Sequence, residues 1–212
     1  MSAPLAERLR LVLVTDPDAG PDRTVLDVVR AALLGGTPAV QLRWKEAGAR
    51  EMAALARVLL RETRAAGALL FVNDRIDVAL AVGADGAHVG QADLPAAAAR
   101  RIAPPGFLLG VSAETPALAR KAEADGADYV GVGPVAATGS KPDAGDAVGI
   151  TRVREIAAAI RIPIVAIGGI TALNAAEVVE AGATGVAVIR AIMQAADPEA
   201  AARRLWTAAG GR

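Results

Sequence analysis

The feature that most constrains the fold is an alternation of short apolar runs with longer, alanine-rich stretches along the whole chain. Each apolar run reads as a β-strand, and each is followed by a segment with helical character. This alternation requires parallel strands joined by crossovers, and continuous apolar runs are typical of parallel strands buried on both faces. The predicted strands span residues 11–15, 39–42, 69–72, 86–89, 108–111, 129–131, 164–167 and 185–188.

Eight such units in a chain of 212 residues predict an α/β fold, a single (β/α)8 TIM barrel that spans residues 1–212 as one domain. A doubly wound sheet is the alternative, but the first βα turn, residues 15–20, lacks the glycine-rich phosphate loop often found there. The predicted helices span residues 24–34, 49–66, 76–82, 95–101, 116–124, 150–160, 174–180 and 199–208.

A short repeat supports the same fold. The sequences GADGA (83–87), GADYV (126–130) and GATGV (182–186) share one form. In each, the glycine is predicted to end a helix in the left-handed conformation, so that the next strand follows after a tight loop.

Composition excludes several classes of function. The 23 basic and 23 acidic residues balance, so we expect no binding of nucleic acid or of an anionic membrane. The absence of cysteine excludes disulfides, thiolate metal sites and a cysteine nucleophile, and the single histidine excludes multi-histidine metal sites. With no apolar run long enough to span a bilayer, we expect a cytoplasmic protein.

Polar residues that directly follow the strands are the candidate site, because barrel active sites lie at the carboxyl ends of the strands. After the second strand, alternation places Gln41, Arg43 and Lys45 on one side of an extended segment. Two cations and an amide at the barrel mouth predict an anion clamp, although a solvated basic turn has the same pattern.

Two carboxylates follow neighbouring strands, Asp74 after the third and Asp93 after the fourth. Such a pair suits Mg²⁺, which takes one or two carboxylates together with water and phosphate oxygens. Two other roles stay open, since Asp93 could cap the next helix and Asp74 could pair with Arg75 or Arg43. The histidine, His88, is interpreted as a buried, hydrogen-bonded residue rather than an acid–base catalyst.

A second anion site is predicted after the seventh and eighth strands, where many barrels hold a phosphate. Gly169 belongs to a glycine pair that lets backbone N–H groups approach an anion, and Ile189 and Arg190 follow the eighth strand. The longest irregular stretch, residues 133–148, follows the sixth strand and carries Thr138, Ser140 and Lys141. It is predicted to be a lid or binding loop, with a disordered insertion as the alternative. Two anion sites suggest two phosphorylated ligands or one bisphosphate.

Seven segments, in this order and at barrel spacing, resemble the signatures of the thiamine-phosphate synthase (thiamine-phosphate diphosphorylase) family. The resemblance runs from about residue 9 to residue 196, and only the full set is specific. The segments are QLRWK (41–45), FVNDRID (71–77), GADGAHVGQAD (83–93), GVS (110–112), GADYVGVGPV (126–135), TGSK (138–141) and AIGGI (166–170).

The resemblance implies a transferase that joins hydroxymethylpyrimidine diphosphate to a thiazole phosphate with Mg²⁺ as cofactor. It implies that Asp74 and Asp93 hold the metal, and that the catalytic residues are Lys141, Ser112 and Arg43. Its partners would be these two small molecules, with homo-oligomer formation left open. The implied substrate-binding residues are Gln41, Leu42, Arg43, Trp44, Lys45, Asn73, Ser112, Thr138, Gly139, Ser140, Lys141, Gly169, Ile189 and Arg190.

The sequence departs from the family pattern at two places. Ala137 stands where the family commonly has proline, and Arg190 stands where it commonly has serine. The alternatives are a thiazole tautomerase of the same fold, a sugar-phosphate isomerase and a ligand-sensing barrel without turnover. The tautomerase is expected to lack both the aspartate pair and the loop at 138–141, and Arg190 alone favours the non-catalytic barrel.

Overall fold

The fold is a closed barrel of parallel strands surrounded by helices, in a computed structural model that describes residues 3–137 and 147–211. Its strands are β1 (Leu11–Val14), β2 (Ala39–Leu42), β3 (Leu69–Asn73), β4 (Gly86–Val89), β5 (Leu108–Ser112), β6 (Tyr129–Val132), β7 (Ile164–Ile167) and β8 (Gly185–Val188). Its helices are α1 (Leu5–Arg8), α2 (Val25–Leu34), α3 (Ala49–Ala65), α4 (Ile76–Val82), α5 (Ala96–Ile102), α6 (Pro116–Ala124), α7 (Gly149–Ala157), α8 (Ala175–Glu180), α9 (Arg190–Met193) and α10 (Pro198–Ala208).

The eight strands pair in sequence order, and β8 closes the barrel on β1. This confirms the (β/α)8 prediction and excludes the doubly wound sheet. Four strands match the predicted bounds, whereas β3, β5 and β6 each run one residue further. β3 and β5 continue because backbone pairing does not stop at a polar side chain: Asn73 pairs with His88, and Ser112 pairs with Gly131. The short helices α1 and α9 were not predicted.

The three repeated segments, 83–87, 126–130 and 182–186, have the same structure at their first and third residues. Gly83, Gly126 and Gly182 have positive φ angles of 69°, 92° and 107°, which confirms that each ends its helix in the left-handed region. The third residue of each segment then forms a hydrogen bond with the backbone of the preceding strand. The side chains of Asp85, Asp128 and Thr184 accept hydrogen bonds from the N–H groups of Leu70, Leu109 and Ile164.

The barrel interior holds the chain's large buried aromatic side chains. Phe71 and Tyr129 are almost fully buried and pack edge to face, with ring centroids 5.4 Å apart. A row of paired residues crosses four strands at this level, from Asn73 through His88 and Gly110 to Tyr129. The described residues include no helix that is both long and apolar enough to span a membrane.

Candidate active site

Arg43 is held at the barrel mouth by the residue that follows β1. The N–H of Arg43 donates to Oγ1 of Thr15 at 2.9 Å, and that hydroxyl donates to the carbonyl of Arg43 at 3.2 Å. Arg43 is 8% exposed, and within the described residues its Nε is buried without a hydrogen-bond partner. Buried polar atoms normally form a hydrogen bond, so this guanidinium is suited to donate one to an acceptor that a ligand supplies.

The other residues of the 41–45 segment divide between two environments. Gln41 is buried in the barrel, while Leu42 is fully buried and lines an apolar cavity of about 290 Å³ with residues of α2 and α3. Trp44 lines both that cavity and a neighbouring one of about 220 Å³, where it meets Lys45 and Asn73. Leu42 therefore faces the helices, and a role of Leu42 in binding substrate stays a prediction.

Asp74 follows β3, and Asp93 follows the neighbouring strand β4. Asp74 follows β3 in the left-handed conformation, with φ 62°, and its N–H donates to the carbonyl of His88 on β4 at 2.7 Å. Non-glycine residues held in this region cluster at functional sites. Asp93 accepts a 2.7 Å hydrogen bond from the N–H of Gly90, directly after β4.

The alternative roles of these carboxylates are helix capping for Asp93 and pairing with Arg75 or Arg43 for Asp74. Asp93 does not cap α5, because that helix begins at Ala96 with Pro95 as its N-cap. Arg75 forms its ion pair with Asp77, at 2.5 Å between Nη2 and Oδ2. Asp74 lines a cavity with Lys45 and Asn73, and a carboxylate is the hard oxygen donor that Mg²⁺ prefers. The described residues contain no group of three or more His, Cys, Asp or Glu side chains that could hold a metal. Such an ion would complete its shell with water or with oxygens of a substrate.

A chain of polar side chains crosses the barrel interior below these residues. His88 is 9% exposed, with Nδ1 3.1 Å from the hydroxyl of Tyr129 and Nε2 3.0 Å from Oγ of Ser112. This confirms the interpretation of His88 as buried and hydrogen-bonded, and it joins His88 to the predicted site residue Ser112.

Sequence reasoning missed Tyr129 as a part of this site. Burial raises the pKa of its phenol, so the phenol keeps its proton at neutral pH. The sequence signal that could have indicated Tyr129 is a glycine on each of the neighbouring strands β5 and β6, which leaves space for large side chains. A Cβ at Gly110 would lie 2.4 Å from the Tyr129 hydroxyl, and one at Gly131 would lie 2.8 Å from Cε1 of His88.

The predicted binding loop falls largely outside the described residues. Thr138, Gly139, Ser140 and Lys141 all belong to the segment 138–146, so their predicted roles stay predictions. The described ends of the loop are joined by two backbone hydrogen bonds. The N–H of Val148 donates to the carbonyl of Pro134 at 2.7 Å, and that of Gly149 donates to the carbonyl of Val135 at 3.2 Å.

The glycine pair after β7 has a packing role that the sequence did not indicate. Gly168 and Gly169 have φ angles of 95° and 66°. A Cβ at Gly168 would lie 2.5 Å from Cβ of Pro134, and one at Gly169 would lie 2.7 Å from Cβ of Ala136. The pair therefore lets the loop after β7 lie directly against the loop after β6, whatever else its backbone binds.

The segment after β8 turns at once into α9. Ile189 is buried and precedes the helix, and Arg190 is its exposed first residue. Hydrogen bonds fix the far end of α9 to the loop after β1: Arg23 donates to the carbonyl of Ala195 at 2.6 Å, and Gln194 donates to Asp18 at 3.1 Å.

Fold and site together define a (β/α)8-barrel enzyme whose mouth presents a buried arginine and a pair of carboxylates. Residues 11–192 match the profile of the family described as thiamine monophosphate synthase. The chain belongs to this family.

Individual relatives are similar over almost the whole chain. A thiamine-phosphate synthase of Moorella thermoacetica is 56% identical over 92% of this chain and 93% of its own length. One from Roseiflexus castenholzii is 54% identical over 94% of this chain and 88% of its own length.

Solved structures extend the likeness to three dimensions. The thiamine phosphate pyrophosphorylase of Pyrococcus furiosus superposes with a TM-score of 0.89 at 42% identity, and 98% of each chain is covered. A 3-hexulose-6-phosphate synthase, at 21% identity and a TM-score of 0.69 over 94% of this chain and 99% of its own, shares the fold alone. The resemblance read from the sequence is thus confirmed.

Proposed function

We propose that the chain catalyses the condensation of hydroxymethylpyrimidine diphosphate with a thiazole phosphate, which releases thiamine monophosphate and pyrophosphate. One observation carries this assignment: a buried guanidinium, Arg43, and two carboxylates, Asp74 and Asp93, follow neighbouring strands at the same mouth of the barrel. Carboxylates beside an anion site repel the ligand unless a cation lies between them, and a metal diphosphate supplies that cation.

The pyrimidine diphosphate would occupy the side of the mouth formed by β2 to β5. Arg43 and Lys45 would neutralise the diphosphate, joined by Lys141 from the loop after β6. Gln41 and Asn73 are buried in the mouth and would hold the pyrimidine ring. Charge-assisted hydrogen bonds of this kind contribute about 1.5–3 kcal/mol each.

Asp74 and Asp93 would hold Mg²⁺ through their carboxylate oxygens. When bound, the ion supplies further positive charge to the diphosphate oxygens as the leaving group departs. The chain prepares for it by fixing Asp93 on the Gly90 N–H and by holding Asp74 at the β3–β4 junction through its own N–H.

The thiazole phosphate would occupy the opposite side, formed by the loops after β6, β7 and β8. Backbone groups at Gly169 and Ile189 would bind its phosphate, together with the hydroxyls of Thr138 and Ser140. Glycine at position 169 keeps a side chain away from that backbone and allows its φ of 66°.

The reaction we propose is dissociative. The bond between the pyrimidinylmethyl carbon and the diphosphate oxygen breaks, and pyrophosphate leaves with the electron pair. The cation that remains is stabilised by the ring amino group, and the thiazole nitrogen then donates its lone pair to form the new C–N bond. The protein supplies charge neutralisation and alignment rather than a nucleophile, which is why one histidine and no cysteine suffice.

The deciding experiment is an assay of the purified chain with both substrates and Mg²⁺, in which thiamine monophosphate and pyrophosphate are measured together. Equal molar amounts of the two products are expected. Pyrophosphate without the coupled product, or isomerisation of the thiazole without any pyrophosphate, would overturn the assignment and favour hydrolysis or a tautomerase. A chain that binds both ligands without turnover would be the ligand-sensing barrel.

Two coarser expectations accompany the proposal. We expect the enzyme to act on small molecules in the cytoplasm, in keeping with a biosynthetic family. We also leave homo-oligomer formation as an open prediction, which the molar mass in solution from light scattering would decide.

A further inference from the structure

The glycine loop after β7 is held from two sides by donors that engage its carbonyl groups. The N–H of Ala136 donates to the carbonyl of Gly168 at 3.0 Å. The side-chain amide of Asn174 donates to the carbonyl of Gly169, also at 3.0 Å. Both peptides are trans, and in a planar trans peptide the N–H points opposite to the carbonyl. The N–H groups of Gly169 and Ile170 therefore point away from these two donors.

These two consecutive N–H groups are suited to bind an anion. In the part of the chain that the structure describes, neither has a hydrogen-bond partner. Gly169 has a φ of 66°, and successive N–H groups in such a turn form concave sites for anions. A carbonyl oxygen in the same place would repel an anion. The orientation of the peptide between Gly169 and Ile170 thus decides whether this part of the loop attracts or repels a phosphate.

The side chain of Asn174 forms two hydrogen bonds with different consequences. Its Oδ1 accepts from the N–H of Thr171 at 2.8 Å, which closes a local turn as the side chain at the end of a capping box does. Its Nδ2 donates to the Gly169 carbonyl. A reversed amide would place nitrogen against an N–H group and oxygen against a carbonyl, so the two partners allow only one orientation.

A second turn in the same chain shows that the local turn does not need the amide nitrogen. At the start of α2, the carboxylate of Asp27 accepts from the N–H of Thr24, three residues earlier, at 2.9 Å. Thr171 and Asn174 have the same spacing. A carboxylate at position 174 would therefore close the turn as well as the amide does. What the amide adds is a donor for the Gly169 carbonyl and the absence of a negative charge.

We propose that Asn174 is a positioning residue that turns the Gly169 carbonyl away from the thiazole phosphate and thereby presents the N–H of Ile170 to it. Ile170 then adds a backbone donor to those at Gly169 and Ile189. The identity of the ligand rests on the proposed function, whereas the orientation of the peptide does not.

Inorganic phosphate tests the anion site without any turnover. In ¹H–¹⁵N spectra of the wild-type protein, added phosphate should shift the amide signals of Gly169 and Ile170 until they saturate. In Asn174→Ala, the Kd measured from the Ile170 signal should rise about tenfold. An Ile170 signal that does not respond to phosphate, or equal Kd values in the two proteins, would overturn the proposal. Neither result would affect the assigned activity, and a chain without turnover could still give the expected one.

Kinetics separates the positioning role from the turn. Asn174→Ala should raise KM for the thiazole phosphate about tenfold and leave kcat and KM for the pyrimidine diphosphate within about twofold. Asn174→Asp keeps the acceptor for Thr171 and removes the donor, so it should be at least as damaging, because its charge also repels the phosphate. If only the turn mattered, aspartate would replace asparagine without loss. A wild-type KM in Asn174→Asp would therefore overturn the proposal.

Thr171→Ala is the matched control, since the hydroxyl of Thr171 accepts from the N–H of Leu173 within the same turn at 3.3 Å. This change removes a hydrogen bond of the turn and leaves the bond from Asn174 to Gly169 in place. KM for the thiazole phosphate should stay within about twofold. A rise equal to that of Asn174→Ala, at matching thermal unfolding midpoints, would mean that the stability of the turn sets the affinity and would refute the positioning role.

Discussion

The two halves of the barrel mouth differ in the kind of group that they offer a ligand. On the β2–β5 side, the candidate ligand groups are side chains: Arg43 is clamped by Thr15, and Ser112 is held by His88. On the β6–β8 side, they are mainly backbone groups, joined by the hydroxyls proposed at Thr138 and Ser140, and glycines at 168 and 169 hold one loop against another. A site of side chains depends on charge and hydrogen bonding, whereas a site of backbone depends on conformation.

This difference suits the two proposed ligands. A diphosphate that must leave gains charge on its oxygens during the reaction, so cations that strengthen their contact at that moment lower the barrier. A phosphate that only anchors the second substrate needs constant binding, which preorganised backbone groups supply without loss of side-chain entropy. Substitutions on the first side should therefore lower kcat, and those on the second side should raise KM.

The largest effect is expected at the metal. Removal of Mg²⁺ with EDTA should abolish turnover, and Asp93→Ala should lower kcat by about a thousandfold or more. Asp93→Asn separates charge from structure, because its amide oxygen can still accept from the N–H of Gly90. We expect Asn to be nearly as damaging as Ala.

The control for this series is Asp125→Asn, which removes an acid that pairs with Lys121 on α6 away from the mouth. It should keep full activity. Full turnover in EDTA would refute the metal role, and an active Asp93→Asn variant would reduce Asp93 to a residue that shapes the turn.

The next effect concerns Lys141, which follows β6 in the sequence and is proposed to bind the diphosphate. Lys141→Ala should lower kcat by about a hundredfold and change KM less, because the charge on the leaving oxygens grows in the transition state. Steady-state kinetics with each substrate varied in turn measures the split. A pure rise in KM would place Lys141 with the anchoring half and blur the contrast between the two sides.

Gly169→Ala tests the backbone half. The new Cβ would lie 2.7 Å from that of Ala136, at a φ of 66°, so we expect a loss of about 1–3 kcal/mol in the free energy of unfolding. KM for the thiazole phosphate should rise about tenfold, with KM for the pyrimidine diphosphate nearly unchanged. Chemical denaturation and two-substrate kinetics measure both. Equal rises in the two KM values would show that the halves are not independent.

The smallest effect is expected at Arg190, where the family commonly has serine. The residue is exposed, and we expect its side chain to point to solvent while the backbone binds the phosphate. Arg190→Ser should change KM for the thiazole phosphate by less than about tenfold, roughly 1.4 kcal/mol. A loss beyond about a hundredfold would make Arg190 a direct ligand. A gain beyond tenfold would favour a relative that has drifted away from synthesis.

The residues that sequence reasoning placed correctly are those whose position follows from their neighbours in the chain. Asp74 and Ser112 stand at strand ends because the apolar runs before them are strands, and the family signatures add their chemistry. The alternation that predicts Gln41, Arg43 and Lys45 on one side is equally local, and it stays a prediction. Bounds were less certain, as at α7, which covers 149–157 where 150–160 was predicted.

By itself, the sequence determined the barrel, because strand–helix alternation and glycine-ended helices act over a few residues. Only the tertiary structure decided which side chains meet inside it. Thr15 reaches Arg43 across 28 residues, and Tyr129 reaches His88 across 41. Such contacts depend on the register of several strands and on the closure of the barrel. The role of a glycine such as Gly110 or Gly168 is therefore decided only by the atoms that pack against it.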